Sequence, residues 1–232
     1  MFDWLTVGQV CWAIFTVVPG TLLLALLITL SAVGLGIGLT LIQSFRVPVL
    51  APLCRLLVSF LRGTPLLVQL FIVYYLLPAA AGGLMADMPL QAAEVSSLAA
   101  VLLTFPLNQA AFQEEYIRGA LKSVGFGQLE AAWSAGLTTW QGLRWIVLPQ
   151  AFVVALPNLF NTYMRSIKGM SLAFLVGAVD ILAKAKMESA LNFRYLESYV
   201  AAGLVYWGLC LLLTWAFRRL DRHLLHAGDA RA

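Results

Sequence analysis

Three observations predict that this sequence forms an all-α integral membrane protein. Of its 232 residues, 61% are apolar and only 11% are charged. Its mean hydropathy of +0.87 leaves too few polar groups to cover a soluble fold. Apolar runs of about 20 residues recur along the chain, and inside hydrocarbon such runs satisfy their backbone groups by forming helices.

Five of these runs are long enough to span a bilayer. The predicted spanning helices cover approximately residues 18–42, 56–77, 90–112, 151–179 and 199–217. The segment before the first run contains Asp3 but no Lys or Arg. Because a cleaved signal peptide carries positive charge ahead of a short apolar core, we expect the first run to be a permanent helix.

The distribution of cations predicts the orientation, because Lys and Arg are retained on the cytoplasmic side of the membrane. With five spans, the two termini lie on opposite faces. An external N-terminus places nine cations in the cytoplasm, namely Arg46, Arg55, Arg118, Lys122, Arg144, Arg218, Arg219, Arg222 and Arg231. It leaves three in an external segment, namely Lys184, Lys186 and Arg194. We therefore predict an external segment at residues 1–17, a transmembrane domain at 18–220 and a cytoplasmic tail at 221–232.

The sequence lacks the signatures of catalysis and of metal or nucleotide binding. Its three cysteines form no cluster with histidine at metal-ligand spacing, and His223 and His226 lie in the predicted tail. No glycine-rich phosphate loop of the G-x-x-x-x-G-K-[ST] type is present. We expect no catalytic, metal or cofactor site in this chain. The pI of about 9.1 indicates an excess of cationic residues. Cations retained on the cytoplasmic side, near anionic lipid headgroups, explain this excess without a nucleic-acid partner.

The predicted cytoplasmic loop at residues 113–149 is the most informative segment. Within it, residues 130–137 predict a short helix that stops at Gly136. Small side chains such as Ala132 allow close docking against a partner. Pro149 is suited to open the next spanning helix, because its missing N–H would be unpaired in a first turn. On spacing alone, the loop is either a mechanical coupler or an ordinary amphipathic connector.

Seven residues of this loop resemble the cytoplasmic signature of the membrane subunits of binding-protein-dependent ABC importers. They are Glu130, Ala131, Ala132, Gly136, Ile146, Leu148 and Pro149. Residues 60–71, with Arg-Gly-Thr-Pro at 62–65, are similar to permeases for polar amino acids of the histidine, glutamine, arginine and cystine type. Residues 115–119 and 148–151 follow the same subfamily, so the resemblance covers roughly residues 18–220.

The resemblance implies a type I ABC importer permease fold whose motor is another protein. It implies that residues 130–136 couple this chain to two cytoplasmic ATPase subunits, which hold ATP and Mg. The other implied partners are a second permease, identical or homologous, an external solute-binding protein, membrane lipid and an amino acid substrate, at the bacterial inner membrane. Residues 171–181 and 193–199 are most similar to permeases for cystine or related sulfur amino acids. The chain departs from the family at residues 169–170, where it has Gly-Met and many relatives have Asp-Thr, so no role is implied for side chains there.

The fourth predicted span carries a polar stripe. At about 100° per residue, four residues fall on one side of a helix, with Thr162 beside them: Asn158, Asn161, Arg165 and Lys168. Cations in a spanning helix are costly against lipid and are expected to face a cavity or a partner. One interpretation is a substrate path, in which the cations receive a carboxylate and the amides receive an ammonium group. The other is an interface with a second permease, in which Asp180 or Glu188 neutralises a cation.

The second predicted span contains an interruption at residues 62–65. Gly63 and Pro65 break helices, so we predict a structural joint near the cytoplasmic face, with Arg62 turned toward water or headgroups. Direct contact between Arg62 and a substrate is the alternative. Gln69 lies deeper in the same span, where a polar side chain more often bridges helices than binds cargo.

Two other classes of function are weighed against an ABC permease. An ion-coupled secondary transporter would need acidic residues at mid-membrane, and none of the five predicted spans has a convincing central Asp or Glu. A membrane-embedded hydrolase would need a catalytic pair at that depth. The nearest pair is Ser166 and Lys168, which are two positions apart and therefore on different helix faces.

Overall fold

The computed structural model describes residues 2–80 and 91–229, and every regular element in these ranges is helical. The α-helices are α1 (Trp4–Phe15), α2 (Val18–Ser44), α3 (Leu50–Gly63), α4 (Leu66–Ala80), α5 (Gln91–Ser123), α6 (Gly127–Ser134), α7 (Thr139–Gly142), α8 (Leu148–Gly169), α9 (Ile181–Asn192) and α10 (Tyr195–Asp229). A π-turn (Leu143–Val147) joins α7 to α8, and a 3-10 helix (Met170–Val176) follows α8. Leu90, the predicted start of the third span, and Arg231 lie outside the described residues.

The chain divides into two compact units. Unit 1 comprises Met1–Leu27, Leu70–Leu103 and Tyr163–Ala232, within the described ranges. Unit 2 comprises Ile28–Gln69 and Thr104–Thr162.

Three helical runs in the described part of the chain are long and apolar enough to cross a bilayer. They are Val18–Ser44, Thr139–Val176 and Tyr195–Arg222, which contain the first, fourth and fifth predicted spans apart from the last three residues of the fourth. A fourth is reached only if α3 and α4 are taken together, and these two helices meet at a bend of 113°. The five continuous spans predicted from the sequence are therefore not confirmed.

The second predicted span differs from the prediction, because it is not a continuous helix. α3 ends at Gly63, and α4 starts in a new direction after Pro65. The third predicted span lies in α5 apart from Leu90, and the side chains at its start lie outside the described part of the chain. α5 buries polar residues inside unit 2, namely Asn108, Gln109, Gln113 and Glu114.

Side chains of α4 and α5 satisfy the carbonyl groups at the joint between α3 and α4. The amide Nε2 of Gln69 donates to the carbonyl oxygens of Leu61 at 2.9 Å and Thr64 at 3.1 Å. Asn108 Nδ2 donates to the same Leu61 oxygen and to Gln69 Oε1, each at 3.1 Å. These bonds replace helical bonds that the break removes. Gln69 is thus a structural bridge, as the sequence suggested.

Arg62 joins the same joint to α5. Its Nη2 lies 2.6 Å from Glu115 Oε2, and its guanidinium stacks over the ring of Phe112, 5.4 Å from the ring centre. A guanidinium held by a carboxylate and an aromatic face has a structural role in this arrangement. The prediction of a structural joint at residues 62–65 is confirmed.

In unit 1, α1, α9 and α10 pack into a cluster that we call the α1–α9–α10 cluster. Nine apolar residues form its buried core: Val7, Val10, Ile14, Val18, Ile181, Ala185, Ala201, Ala202 and Val205. Polar contacts close one edge. The Asp3 carboxylate caps α1 by accepting from the Leu5 amide at 3.0 Å and the Thr6 hydroxyl at 2.8 Å. Arg194 Nη1 lies 3.2 Å from Glu197 and 3.8 Å from Asp3.

Asp180 begins α9 and is fully buried. Its carboxylate accepts hydrogen bonds from the Ala183 amide at 2.9 Å and from the Tyr206 hydroxyl at 2.7 Å. Burial raises the pKa of Asp180, and these hydrogen bonds oppose that rise only in part. A buried carboxyl with two donors ties the start of α9 to the middle of α10.

Candidate functional site

The loop between α5 and α8 folds into a compact helical module, which we call the loop module (residues 125–147). Gly125 has a φ of +76°, which ends α5 and lets the chain turn into α6. Gly136 has a φ of +80° and ends α6 in a Schellman arrangement. In it, the Gly136 amide donates to the Trp133 oxygen at 2.9 Å and the Leu137 amide to the Ala132 oxygen at 3.0 Å. The predicted short helix and its glycine stop are confirmed, with the helix shifted toward the N-terminus.

The inner face of α6 packs on the one-turn helix α7. Leu129 and Ala132 are buried, and both contact Gly142, which is buried too. A Cβ atom on Gly142 would lie 2.9 Å from Leu129 Cδ1 and 3.0 Å from Ala132 Cβ. The small side chain of Ala132 therefore packs within the module and is not available for the docking against a partner that the sequence predicts.

Polar contacts fix α6 and α7 in place. Thr138 and Gln141 form a capping box at the start of α7, in which the Thr138 amide donates to Gln141 Oε1 at 2.8 Å and the Gln141 amide donates to Thr138 Oγ1 at 3.3 Å. The Trp133 indole N–H donates to Thr139 Oγ1 at 3.2 Å. The ring of Phe126 packs edge-on against that of Trp133, with 6.1 Å between centroids. The module thus has one defined shape.

The outer face of the module combines signature residues with exposed aromatic rings. Glu130, Ala131 and Gly136 are exposed. Around them, Phe126 is 70% exposed and Trp140 is 65% exposed. The contribution of these aromatic residues to the outer face was not predicted from the sequence. Their signal was the presence of aromatic side chains in an otherwise polar loop. An exposed apolar surface on a rigid helix is suited to seat against another protein.

The remaining signature residues lie where the loop module enters α8. Ile146 belongs to the π-turn and is half-buried, whereas Leu148 and Pro149 are exposed. Pro149 is the second residue of α8 and so lies in its first turn, as the sequence predicts, although α8 continues a helical run that begins at Thr139. The π-turn explains how a proline is tolerated there, since it shifts the hydrogen-bonding register just before a residue that has no N–H.

The polar stripe lies on α8, which is one continuous helix from Leu148 to Gly169. Asn161, Arg165 and Lys168 are exposed, and Asn158 is half-buried. Thr162 is turned inward and donates its hydroxyl to the Asn158 carbonyl at 2.9 Å. Four of the five predicted residues therefore present side chains at the surface of the chain, and the fifth serves the helix.

The segment after the stripe accounts for the departure at Gly169-Met170. Met170 is fully buried and starts the 3-10 helix, and the Ser171 hydroxyl donates to the Lys168 carbonyl at 2.8 Å. The apolar side chain of Met170 is thus part of the packing of unit 1.

The two carboxylates proposed to neutralise the stripe have other partners in this chain. Asp180 is bonded to Tyr206 and Ala183, as described above. Glu188 Oε1 lies 2.9 Å from Lys184 Nζ. In the described part of the chain, no group of three or more His, Cys, Asp and Glu residues could hold a metal ion.

Comparison with known proteins places this fold and loop in context. The family described as binding-protein-dependent transport system inner membrane component matches residues 32–226. A probable amino-acid ABC transporter permease protein of Vibrio harveyi, PatM, is 41% identical over 192 residues, which cover 81% of this chain and 82% of that protein. The L-cystine transport system permease protein TcyL of Bacillus subtilis is 36% identical over 223 residues, which cover 96% and 92%.

A solved structure supports the same fold. A crystal structure of an amino acid ABC transporter with histidines contains a chain that superposes with a TM-score of 0.80 at 25% identity. The superposition covers 96% of this chain and 99% of that one. The MetNI methionine ABC transporter, in an inward-facing conformation, gives a TM-score of 0.68 over 92% of this chain.

Proposed function

This chain belongs to the family of binding-protein-dependent transport system inner membrane components, and from that premise we propose that it is the permease subunit of an ATP-driven amino acid importer. It is a multi-pass protein of the bacterial inner membrane. The observation that carries the proposal is the family match over residues 32–226, which includes the loop module and α8 entire. Membership of the family implies an ATPase and other ABC components as partners.

We assign coupling to the outer face of the loop module. In this mechanism, residues Glu130 to Gly136 seat against a separate ATPase subunit, which holds ATP and Mg. ATP binding closes two ATPases, and the loop modules of two permease subunits, identical or homologous, are drawn together. The spanning helices then rock from inward-open to outward-open, and hydrolysis resets them. Support comes from the rigid packing of α6 on Gly142, because a module that transmits force must not deform.

For topology, we propose five membrane crossings, with the N-terminus outside and the C-terminus in the cytoplasm. The cation distribution supports this orientation. The bend between α3 and α4 changes the second crossing, which α4 makes without α3 in line. α2, α5, α8 and α10 supply the other four crossings of a type I importer permease.

We assign the translocation path to the exposed polar side of α8. Arg165 and Lys168 provide positive charge for a substrate carboxylate, and the amide oxygens of Asn158 and Asn161 are acceptors for an ammonium group. The competing role, an interface with the second permease, needs a carboxylate from that subunit, since Asp180 and Glu188 are engaged within this chain. Replacing Arg165 with Ala separates the two roles. A path residue lowers transport while the ATPase stays bound, whereas an interface residue causes loss of the assembly.

The proposed substrate is a polar amino acid delivered by an external solute-binding protein, with cystine as the first candidate. The name of the TcyL relative supports cystine, and the name of the PatM relative supports amino acids in general. Because the binding protein also takes part in selecting the substrate, specificity is measured on the whole importer, as competition between cystine and glutamine for uptake.

Co-purification of partner proteins tests the coupling assignment. The tagged chain is purified from its native membrane in mild detergent, and bound proteins are identified by mass spectrometry. The Glu130→Arg variant is compared with the Asp221→Arg variant, which makes the same charge change on α10. We expect an ABC-type ATPase with the parent chain and with Asp221→Arg, and its loss with Glu130→Arg. If no ATPase is recovered from intact membrane complexes, an ion-coupled secondary transporter becomes the better assignment.

A further inference from the structure

Two adjoining clefts open in unit 2, and arginine side chains line both. Their volumes are about 520 and 640 Å³, and they share Gln43 at the end of α2, Arg55 on α3 and Arg118 on α5. Arg46 lines the first and Arg62 lines the second. We call the pair of clefts the arginine cleft. Four guanidinium groups therefore converge on one surface depression.

The carboxylates nearby do not balance this charge. Glu114 lies 3.4 Å from Arg118, and Glu115 lies 2.6 Å from Arg62. In the described part of the chain, neither Arg46 nor Arg55 forms an ion pair with a carboxylate. Four cations against two anions leave a surplus of two positive charges. Such a surplus, held close together in a cleft, favours an anion of one or two charges.

A buried donor in the cleft also lacks an acceptor. The Nε2 atom of Gln43 is buried and has no hydrogen-bond partner among the described residues. Buried polar atoms without partners are uncommon, and a bound ion is one of the reasons for them. An anionic oxygen in the cleft would accept from Gln43 and from the neighbouring guanidinium groups together.

α3 has the properties of a helix that lies in a membrane interface. Its 14 residues extend about 21 Å, which is short of the ~30 Å hydrocarbon core, and it meets α4 at 113°. One side packs inward through Ala51, Val58 and Leu61. The exposed apolar residues form a second side: Leu53, Leu56, Leu57 and Phe60. Arg55 and Arg62 lie roughly opposite them, next to the inward side, where they line the cleft. An apolar face opposite a cationic face is typical of interfacial helices.

We propose that the arginine cleft binds the phosphate of an acidic phospholipid headgroup, with α3 lying in the plane of the membrane interface. Exposed apolar side chains on both sides of Arg46 in the chain distinguish this ligand from a free phosphate ion, which gains nothing from apolar contacts. Phe45 is 77% exposed and Val49 is 78% exposed, at the turn that leads into α3. The topology proposed above places this site in the cytoplasmic leaflet. The cleft and its charge do not depend on that topology.

Binding is measured on the purified full-length chain in detergent by native mass spectrometry. Phosphatidylglycerol and phosphatidylcholine with the same acyl chains are titrated separately, so that only the headgroup charge differs. The test variant is Arg46→Gln with Arg55→Gln, because neither arginine holds a carboxylate that the change would leave unpaired. The control is Arg218→Gln with Arg219→Gln, which removes the same charge from α10.

We expect the parent to prefer phosphatidylglycerol, and the test variant to bind it roughly tenfold or more weakly. The control variant should bind as the parent does, and all three proteins should melt alike in phosphatidylcholine. Equal loss in test and control variants, or no preference in the parent, would overturn the proposal. Full displacement of the lipid by millimolar inorganic phosphate would instead assign the cleft to a soluble anion. If the double variant does not fold, Arg46→Gln alone should still weaken binding several-fold.

This experiment is independent of ATP coupling. A chain that recruits no ATPase but selects phosphatidylglycerol through Arg46 and Arg55 would contradict the proposed function alone. A chain that recruits its ATPase but shows no headgroup preference would contradict the lipid site alone.

Discussion

The loop module and the α1–α9–α10 cluster hold their shapes by different kinds of contact. In the loop module, the contacts join residues close in sequence, such as Trp133 to Thr139, six positions apart. In the cluster, the Asp3 amide donates to Glu197 across 194 positions. The entropic cost of closing a loop rises with loop length, so contacts between residues far apart in sequence form only when the rest of the chain is folded. The cluster therefore depends on the fold of the whole chain. The loop module depends mainly on its own turns and caps.

This contrast bears on the coupling role proposed for the loop module. A module that is locally defined keeps its shape while the ends of the chain that enter and leave it move. The cluster, with its apolar core and buried Asp180, instead fixes three helices to one another. We expect variants in the cluster to change stability, and variants in the loop module to change coupling with little effect on stability.

Removal of the buried carboxylate is expected to have the largest effect. Asp180→Ala removes an N-cap, which is worth about 1 kcal/mol, and leaves the hydroxyl of the half-buried Tyr206 without Asp180 as its acceptor, which costs up to about 1–3 kcal/mol more. Melting in detergent should show the loss. Tyr206→Phe is the control, because Asp180 then keeps its bond from Ala183 and the loss should be smaller. Unchanged melting of Asp180→Ala would show that the cluster does not depend on this carboxyl.

The same carboxyl gives the cluster a pH dependence. Burial raises the pKa of Asp180 above its ordinary value of 3.8, so the folded state binds the proton more tightly than the unfolded state. Its contribution is present below pH 3.8 and is lost as the pH rises through the folded pKa. The melting temperature of Asp180→Asn should therefore fall less over this range than that of the parent. Parallel curves for the two proteins would contradict the assignment.

Crowding the loop module is expected to have the next largest effect. Gly142→Ala places a methyl group 3.0 Å from Ala132 Cβ, and overpacking of this kind costs about 1–3 kcal/mol. Because this cost falls on the local stability of the module and not on the packing of the spanning helices, ATP-driven uptake in proteoliposomes should fall severalfold while the melting temperature of the whole chain changes little. Gly127→Ala is the matched control, since a Cβ there meets nothing within 4 Å. Equal uptake by both variants would show that α6 does not need its seat on Gly142.

The contrast between local and distant contacts also explains what the sequence could predict. Gly125 and Gly136 break helices through their own conformational freedom, so the ends of α6 were visible in the sequence. Long apolar runs likewise predicted α2, α8 and α10. These signals each lie within a few residues of the structure that they determine. The roles of the loop in coupling and of the α8 stripe in transport stay predictions.

Features that depend on residues distant in sequence were predicted only in part or not at all. The joint at residues 62–65 was predicted, but its 113° bend was not. Its carbonyl groups are satisfied by Asn108 as well as Gln69, and those two side chains are 39 positions apart. In the same way, nothing near Pro149 indicates that α8 continues a helical run begun at Thr139. A proline at this position predicts the start of a helix, and only the π-turn before it shows that the helix begins earlier.

Neutralising the polar edge of the cluster is expected to have the smallest effect. Asp3→Asn keeps a good N-cap for α1 but removes the negative charge facing Arg194, which is a half-exposed pair and therefore screened by solvent. The Thr6 hydroxyl, then the Leu5 amide and Arg194, lower the pKa of Asp3 below 3.8. Its contribution is thus present above pH 3.8 and lost as the pH falls through the lowered pKa. Melting curves of the variant and the parent should differ slightly at neutral pH and converge in acid. The control is Asp221→Asn, which loses a carboxylate that forms no ion pair within the described chain and should not show that convergence. A fall in melting temperature for Asp3→Asn as large as that for Asp180→Ala would mean that polar contacts, rather than the apolar core, hold α1 in place.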